Sequence, residues 1–334
     1  MGVEQVRDAV RAGGLLSGGR AVVAMLSGGR DSVCLLDVAV ALCGSDGVRA
    51  LHVNYGLRAA AAEEERRCVE LCEELGVALE VVRAEHGAAA GGDSGEDSGE
   101  VTGNLQAWAR AVRYEAAQAL ALPEDALIAA GHTASDQIET ILYRLAASPG
   151  RRALLGMGAV EGRLVRPLLG LTREQTAAYC EARGLRWCDD ESNADERYAR
   201  VRVRERLVPA LRAVHPAAEA NVLRTARLLR EETELLDALV ETELAGADSI
   251  ALARLRALPV ALARMVVIRL AEDAVGSYVP QAGERVQELL ALGEHGGRAE
   301  LHVGGQASAV VEAGALSMHR LAPRQPRRRP PRED

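Results

Sequence analysis

Short apolar runs alternate with amphipathic stretches along the first half of the chain. Ala21–Leu26 (AVVAML) is apolar at every position and stops at Ser-Gly-Gly, the pattern of a strand covered on both faces. Asp31–Cys43 follows with helical periodicity. Val48–Asn54 (VRALHVN) predicts a second strand, Ala60–Leu75 a helix rich in Glu and Arg, and Val77–Val82 (VALEVV) a third strand. His86–Gly103 is acidic and glycine-rich with no apolar face, and predicts a loop. Asn104–Leu122 resumes a helical pattern. Asp125–Ala130 predicts a fourth strand and Thr133–Ala147 the helix after it. Strands alternating with helices predict an α/β fold built on a doubly wound parallel sheet. Right-handed crossovers place helices on both of its faces.

The rhythm changes after Pro149. Arg163–Leu169 predicts a short extended segment, and Leu171–Gly184 a helix with Thr172 as N-cap and Gly184 just past its end. Asp195–Leu211, Pro216–Leu244, Pro259–Glu272 and Pro280–Leu292 predict further helices. Arg298–His302, Ser308–Glu312 and Leu316–Arg320 predict a small β-meander, and Pro323–Asp334 a disordered Pro- and Arg-rich tail. The expected organisation is one domain over residues 1–214, a mainly helical second domain over 215–322, and a tail over 323–334.

Composition narrows the class. The 334 residues are 48% hydrophobic and 26% charged, an ordinary soluble balance, and roughly 150 residues per domain gives two domains. No run of about 18 uncharged apolar residues predicts a membrane span. Met1–Arg20 carries Glu4 and Asp8 and predicts no secretory leader. A cytoplasmic location with reduced thiols is therefore expected for the six scattered cysteines. A net charge of −8 argues against non-specific coating of nucleic acid and leaves room for local basic surfaces. The chain has no Phe and no Lys; all 40 basic residues are Arg. Codon usage in a GC-rich genome accounts for this. Its chemical consequence is that phosphate must be met by backbone N–H groups, hydroxyls, Arg or a metal.

Leu26-Ser27-Gly28-Gly29-Arg30-Asp31-Ser32 follows a predicted strand and opens a predicted helix. Gly28 and Gly29 allow positive φ and close approach of backbone to an anion. The helix start supplies N–H groups, and Ser27 and Ser32 supply hydroxyls. Asp31 beside phosphates implies an intervening cation, Mg²⁺. Neither a Walker A sequence nor a six-residue dinucleotide glycine pattern is present. The same residues also satisfy a plain N-cap and turn. Gly131-His132-Thr133-Ala134-Ser135-Asp136-Gln137-Ile138-Glu139-Thr140 follows the fourth strand. Thr133 and Asp136 fit a capping box, and Glu139 lies about one turn beyond Asp136. Ser27, Asn54 and His132 fall at the ends of three parallel strands, where doubly wound sheets bind ligands.

Ser27-Gly28-Gly29-Arg30-Asp31-Ser32 resembles the pyrophosphate-binding loop of the PP-loop ATP pyrophosphatases. The decamer 131–140 resembles the matching motif of the tRNA(Ile)-lysidine synthetase family. So do Val53–Arg58 (VNYGLR), Asn104–Tyr114 (NLQAWARAVRY), Arg166–Leu169 (RPLL), Trp187–Asn193 (WCDDESN) and Tyr198–Arg204 (YARVRVR). In order, these motifs cover roughly residues 20–215. Tyr55, Ser135 and Val201 depart from the family pattern, which has His, Asp and Asn at those places.

The resemblance implies an ATP-dependent ligase. ATP adenylates the C2 oxygen of the wobble cytidine in CAU-anticodon tRNA(Ile), and the ε-amine of free L-lysine then displaces AMP to give lysidine. Ser27, Gly28, Gly29, Arg30, Asp31, Ser32 and Asn54 would bind ATP, with Asp31 and Asp136 on Mg²⁺ and Asp31, His132, Asp136 and Glu139 as the catalytic set. Whether Asp136 and Glu139 serve metal, lysine or cytidine stays open. Arg58, Arg110, Arg113, Arg200 and Arg204 are the expected tRNA contacts, with Arg202 on another helix face. Trp108 either stacks on a base or anchors its helix. The oligomeric state is open, a homodimer being one option. Three rivals compete: a tRNA thiolase, which needs reactive cysteines or a cluster; an amidotransferase-type synthetase; and a non-catalytic tRNA-binding protein on the same scaffold.

Overall fold

Strand β1 (Val22–Met25) divides its side chains between two cores. Val22 and Ala24, with Leu26 just beyond, pack into one; Val23 and Met25 pack into the other. Successive strand residues point to opposite faces, so a wholly apolar strand must be covered on both sides. In the computed structural model, which describes residues 1–16, 19–56, 61–84, 98–147, 150–188, 198–293 and 297–321, that covering is complete. Helix α1 (Val3–Ala12) buries Val6 and Val10 in the first core. Helix α2 (Arg30–Cys43) buries Leu35 and Leu36 there, each stabilising by roughly 1.5–3 kcal/mol.

The chain continues through β2 (Val48–Asn54), α3 (Ala61–Leu75), β3 (Ala78–Arg83), α4 (Ser98–Ala121), β4 (Leu127–Ala129), α5 (Ala134–Ala147) and α6 (Arg151–Leu154). It then forms β5 (Val160–Glu161), β6 (Leu164–Val165), α7 (Arg173–Arg183), α8 (Ala199–Arg202), a π turn over Val203–Leu207 and α9 (Val208–Val214). The sheet order is β3-β2-β1-β4-β6-β5, parallel from β3 through β6, with β5 antiparallel at the edge. The predicted doubly wound α/β sheet is the observed one. Ala117 and Ala121 of α4 close the second core, and α3 and α7 close the first.

Several expectations need correction. The predicted loop 86–103 is helical from Ser98, because α4 extends N-terminally from its amphipathic part; adding a residue to an existing helix is far easier than nucleating one. Residues 86–97 lie outside the described residues, as do Arg58, residues 189–197 and the tail from 322. The extended segment 163–169 contributes only Leu164–Val165 to the sheet, and the hairpin partner Val160–Glu161 went unpredicted. Among the described residues, from 198 on, the predicted helix 195–211 is α-helical at Ala199–Arg202 and again from Val208, with the π turn between.

The chain divides into two compact units, Met1–Ala226 and Arg227–Asp334, the division falling inside α10 (Ala218–Leu244). The second unit continues through β7 (Ser249–Ala251), α11 (Leu252–Ala257), α12 (Val260–Val275) and α13 (Val286–Leu292). The predicted meander follows as β8 (Ala299–Gly304), β9 (Ala307–Glu312) and β10 (Ala315–Arg320), and β7 joins it in an antiparallel sheet of order β7-β10-β9-β8. Val266, Val267, Leu270, Leu289 and Leu316 form its core. Among the described residues no helix is long and apolar enough to cross a membrane.

Strand order reverses direction at β1, between β2 and β4. The crevice outside the carboxyl ends of β1 and β4 is thus the ligand position for this topology. Gly131 lets the two chain segments meet there: a Cβ on it would lie 3.0 Å from the Asp31 carbonyl oxygen and 3.2 Å from Ser32 N. Gly131→Ala is expected to lower stability by about 1–3 kcal/mol in urea unfolding; unchanged stability would show that the two segments are not in this contact.

Candidate functional site

The loop Ser27–Ser32 joins β1 to α2. Gly28 has φ +83°, and a Cβ there would meet Cys68 Sγ at 3.4 Å. Ser27 N–H and Ser27 Oγ both donate to Ser32 Oγ at 3.1 Å, and Ser32 Oγ donates to the Gly29 carbonyl at 2.7 Å. These bonds fix the loop from within. The N-cap of α2 is Gly29, with no side chain capping it. The first N–H groups of a helix have no intrahelical partner; here Ser32 N–H turns back to the Gly29 carbonyl at 3.0 Å, and Arg30 and Asp31 before it line a cleft of about 740 Å³. That is an anion-binding arrangement.

The cleft also takes in Asn54 at the end of β2 and Tyr55 after it, Arg113 and Tyr114 of α4, Gly131, His132 and Asp136, Arg173 of α7, and Arg200 and Arg204. Glu139 lies beneath this surface, 7% exposed. Gly28 is buried behind the loop, against Cys68 and Cys188. Arg110 is not itself in the lining; its guanidinium lies 4.6 Å from the centre of the Tyr114 ring, which is.

Arg173, which opens α7, gathers the acidic residues. Its Nη1 donates to Glu139 Oε1 at 2.6 Å, its Nη2 to Asp136 Oδ1, and its Nε lies 3.9 Å from Asp31 Oδ2. The other Asp136 oxygen accepts from Thr133 N–H at 2.8 Å and Thr133 Oγ1 at 2.7 Å, the expected capping box. Thr176 Oγ1, one turn along α7, donates to Asp31. Ser135 Oγ accepts from the Arg173 backbone N–H at 3.2 Å, so this departure from the family pattern pins the start of α7.

The electrostatics follow from these contacts. Burial pushes the Asp136 carboxyl up, but Arg173 and the Thr133 hydrogen bonds outweigh it, and it stands below the usual carboxylate range. Burial pushes Asp31 and Glu139 up, against the pull of Thr176 and Arg30 on the first and of Arg173 on the second. Burial also opposes the charge on Arg173, yet Asp136 and Glu139 hold its pKa above the ordinary value.

His132 is neutral. Burial, then Arg166, Arg113 and Arg110, bring it down to about 4 against the attraction of Asp136. The Asn54 amide is tied to local structure: Nδ2 donates to Glu65 Oε2 at 2.7 Å, and Oδ1 accepts from Gly56 N–H at 2.9 Å. Tyr55 packs edge-on against Trp108, centroids 5.8 Å apart, and its hydroxyl donates to the Ala109 carbonyl. Trp108 is half-buried beside Tyr55. Arg202 is exposed and absent from the lining that holds Arg200 and Arg204.

Sequence reasoning missed Arg173, Thr176, Arg166 and Tyr114 as site residues. Arg173 carried a signal: a cation in the first turn of a helix opposes the helix dipole, which asks for a carboxylate partner elsewhere.

The PP-loop domain family model matches residues 4–211. A tRNA(Ile)-lysidine synthase of Gloeobacter violaceus is 35% identical over 272 residues, covering 77% of this chain and 78% of the relative. The chain belongs to the tRNA(Ile)-lysidine synthase family. The enzyme of the same name from Pseudomonas fluorescens is 38% identical, covering 66% of this chain and 49% of its own length; that from Azoarcus is 36% identical, covering 84% and 61%. The chain thus spans about half to three-fifths of the length of these two curated relatives. A U34-tRNA thiolase from Methanococcus maripaludis superposes with TM-score 0.54 at 18% identity, over 68% of this chain and 78% of that one, and shares the fold.

Of the thiols, Cys188 lines the cleft beside the loop, and burial raises its pKa. Burial pushes Cys68 and Cys72 up to about 12, and Cys34 lies buried against Cys180, which holds it higher still. Such thiols are protonated at neutral pH and poor nucleophiles. Among the described residues no three His, Cys, Asp or Glu side chains are grouped to hold a metal by themselves.

A His lowered from its unfolded value favours folding fully above about pH 6.5, where both states are neutral at this site, and that contribution is lost as pH falls toward 4. Proton NMR of the His132 ring, assigned by its loss in His132→Gln, is expected to titrate near 4. A midpoint near 6.5 would contradict the burial and charge environment described.

Proposed function

We propose that this chain ligates free L-lysine to C2 of the wobble cytidine of CAU-anticodon tRNA(Ile), in an ATP-dependent reaction that gives lysidine and changes codon reading from AUG to AUA. The observation that carries the reading is the convergence, outside β1 and β4, of an anion-binding loop with an acidic cluster, in a chain of this family. Residues 1–214 would be the catalytic domain and 215–322 the tRNA-binding domain, with a cytoplasmic location.

The cytidine O2 attacks the α-phosphorus of ATP and pyrophosphate leaves. The lysine ε-amine then attacks C2 and AMP leaves, with one proton released. Ser27, Ser32 and the amides from Gly28 to Asp31 would receive the pyrophosphate. Asp31 and Asp136 suit Mg²⁺: both already face a single cation, Arg173, and Asp31 stands next to the phosphate loop. Mg²⁺ there would neutralise charge on the leaving pyrophosphate. Neutral His132 is a hydrogen-bond donor and not a proton source, so its contribution is to a phosphate oxygen as charge develops. Glu139, buried beside Asp136, suits an ammonium or the cytidine amino group. Arg113, Arg200 and Arg204 line the same cleft and suit the tRNA backbone near the anticodon, and Arg58 and Arg110 would complete that set.

The test is incubation with Mg-ATP, labelled lysine and a CAU-anticodon tRNA(Ile) transcript. Label on RNA with release of AMP and pyrophosphate is expected. Asp31→Ala should abolish it while circular dichroism stays that of the parent protein. Full activity in the variant would remove Asp31 from the chemistry, and iron–sulfur absorbance with sulfur transfer would favour the thiolase reading.

A further inference from the structure

Arg166 follows β6 directly and is 2% exposed, one of the few charged side chains buried to that degree. Its fork is held on both outer nitrogens. Nη1 donates to the Gly158 carbonyl and Nη2 to Glu161 Oε2 at 3.0 Å, both in the segment that forms the edge strand β5. The remaining nitrogen, Nε, points at the imidazole of His132, 3.3 Å from Nδ1. A guanidinium has five N–H donors and no acceptor, and it stays protonated in proteins. The His132 nitrogen facing it must therefore carry a lone pair. A neutral imidazole has one proton, so that proton is on Nε2.

We propose that Arg166 is the positioning residue that fixes His132 as an Nε2–H donor in the wall of the cleft. The tautomer of a functional histidine is set by the bond its other nitrogen makes. Here that bond comes from a cation, where a carboxylate or carbonyl is the usual partner. The choice has two consequences. A carboxylate or carbonyl at Nδ1 would place the proton there and turn a lone pair toward the cleft, which repels phosphate oxygens. A cation at Nδ1 places the N–H toward the cleft and at the same time opposes a second proton on the ring. His132 then donates without becoming an acid. The short hairpin β5–β6 acquires a purpose at the sheet edge: Gly158 and Glu161 orient the fork that orients the histidine. Arg166 touches no cleft-lining group except His132 among the contacts described, so it acts through the ring. The identity of the oxygen that receives Nε2–H rests on the function proposed above; the tautomer does not.

The test uses the full chain labelled with ¹⁵N-histidine, with His132 assigned by its absence in His132→Gln. Two-bond ¹H–¹⁵N correlation at pH 7.5 is expected to show the Nε2–H tautomer. Arg166→Met should populate the Nδ1–H form, and Arg166→Lys, which restores a donor, should recover Nε2–H in part. In the lysine- and tRNA-dependent assay, Arg166→Met should lower kcat by at least about tenfold with little change in the KM for ATP. An Nδ1–H tautomer in the parent protein would overturn the proposal without any variant, and so would an unchanged Nε2–H tautomer in a folded Arg166→Met. An Nε2–H tautomer in a chain that forms no lysidine would count against the proposed reaction and leave the role of Arg166 standing.

Discussion

Three carboxylates drawn into one half-buried place repel one another unless a cation stands among them. At 4 Å two like charges cost about 4 kcal/mol at an effective dielectric near 20. Arg173 is that cation, bonded to Asp136 and Glu139 and facing Asp31. Its position ties three distant chain segments into one site: the start of α2, the start of α5 and the start of α7. The rest follows from this constraint. Thr176 secures Asp31 from the same helix, Ser135 secures the Arg173 backbone, and the close packing of Gly131 on Asp31 brings the second strand end into range. Helix α7 is thus held by these contacts as well as by its buried Tyr179 and Cys180.

What the sequence made legible was local. The strand–turn–helix at Ser27–Ser32, the capping box at Thr133–Asp136 and the N-cap at Thr172 each involve residues within a few positions, and each is found as read. The alternation of apolar runs with amphipathic helices sufficed for the parallel sheet, because a wholly apolar strand such as β1 has only one environment open to it. What stayed hidden depended on contacts across long separations. Arg173 reaches Asp136 over 37 positions and Arg166 reaches His132 over 34. No periodicity encodes such pairs. Strand β5 is two residues long and exposed, too short for a pattern. Tyr55 and Ser135 looked like losses against the family pattern, and in three dimensions each has a partner of its own, Trp108 with the Ala109 carbonyl and the Arg173 N–H.

The absence of lysine takes a definite form in the site. Every cation described in or under the cleft is a guanidinium: Arg30, Arg113, Arg166, Arg173, Arg200 and Arg204. Arg is bidentate and cannot be deprotonated, which lets one residue hold two carboxylates and another dictate a tautomer. A lysine ammonium, with its single point of charge, would do neither as well. In the proposed reaction the one primary amine near the site is then the substrate's, so no side-chain amine competes as nucleophile.

The central claim is that Arg173 and the carboxylates around it form one interdependent unit. A double-mutant cycle measures this directly: urea unfolding of the parent protein, Arg173→Gln, Asp136→Asn and the double variant at pH 7.5. Non-additivity is expected, with a coupling of about 1–3 kcal/mol between the two positions and a double variant more stable than the sum of the single losses implies. Additive losses, with coupling near zero, would mean that Arg173 and Asp136 do not depend on each other, and the organisation of the site described above would be wrong.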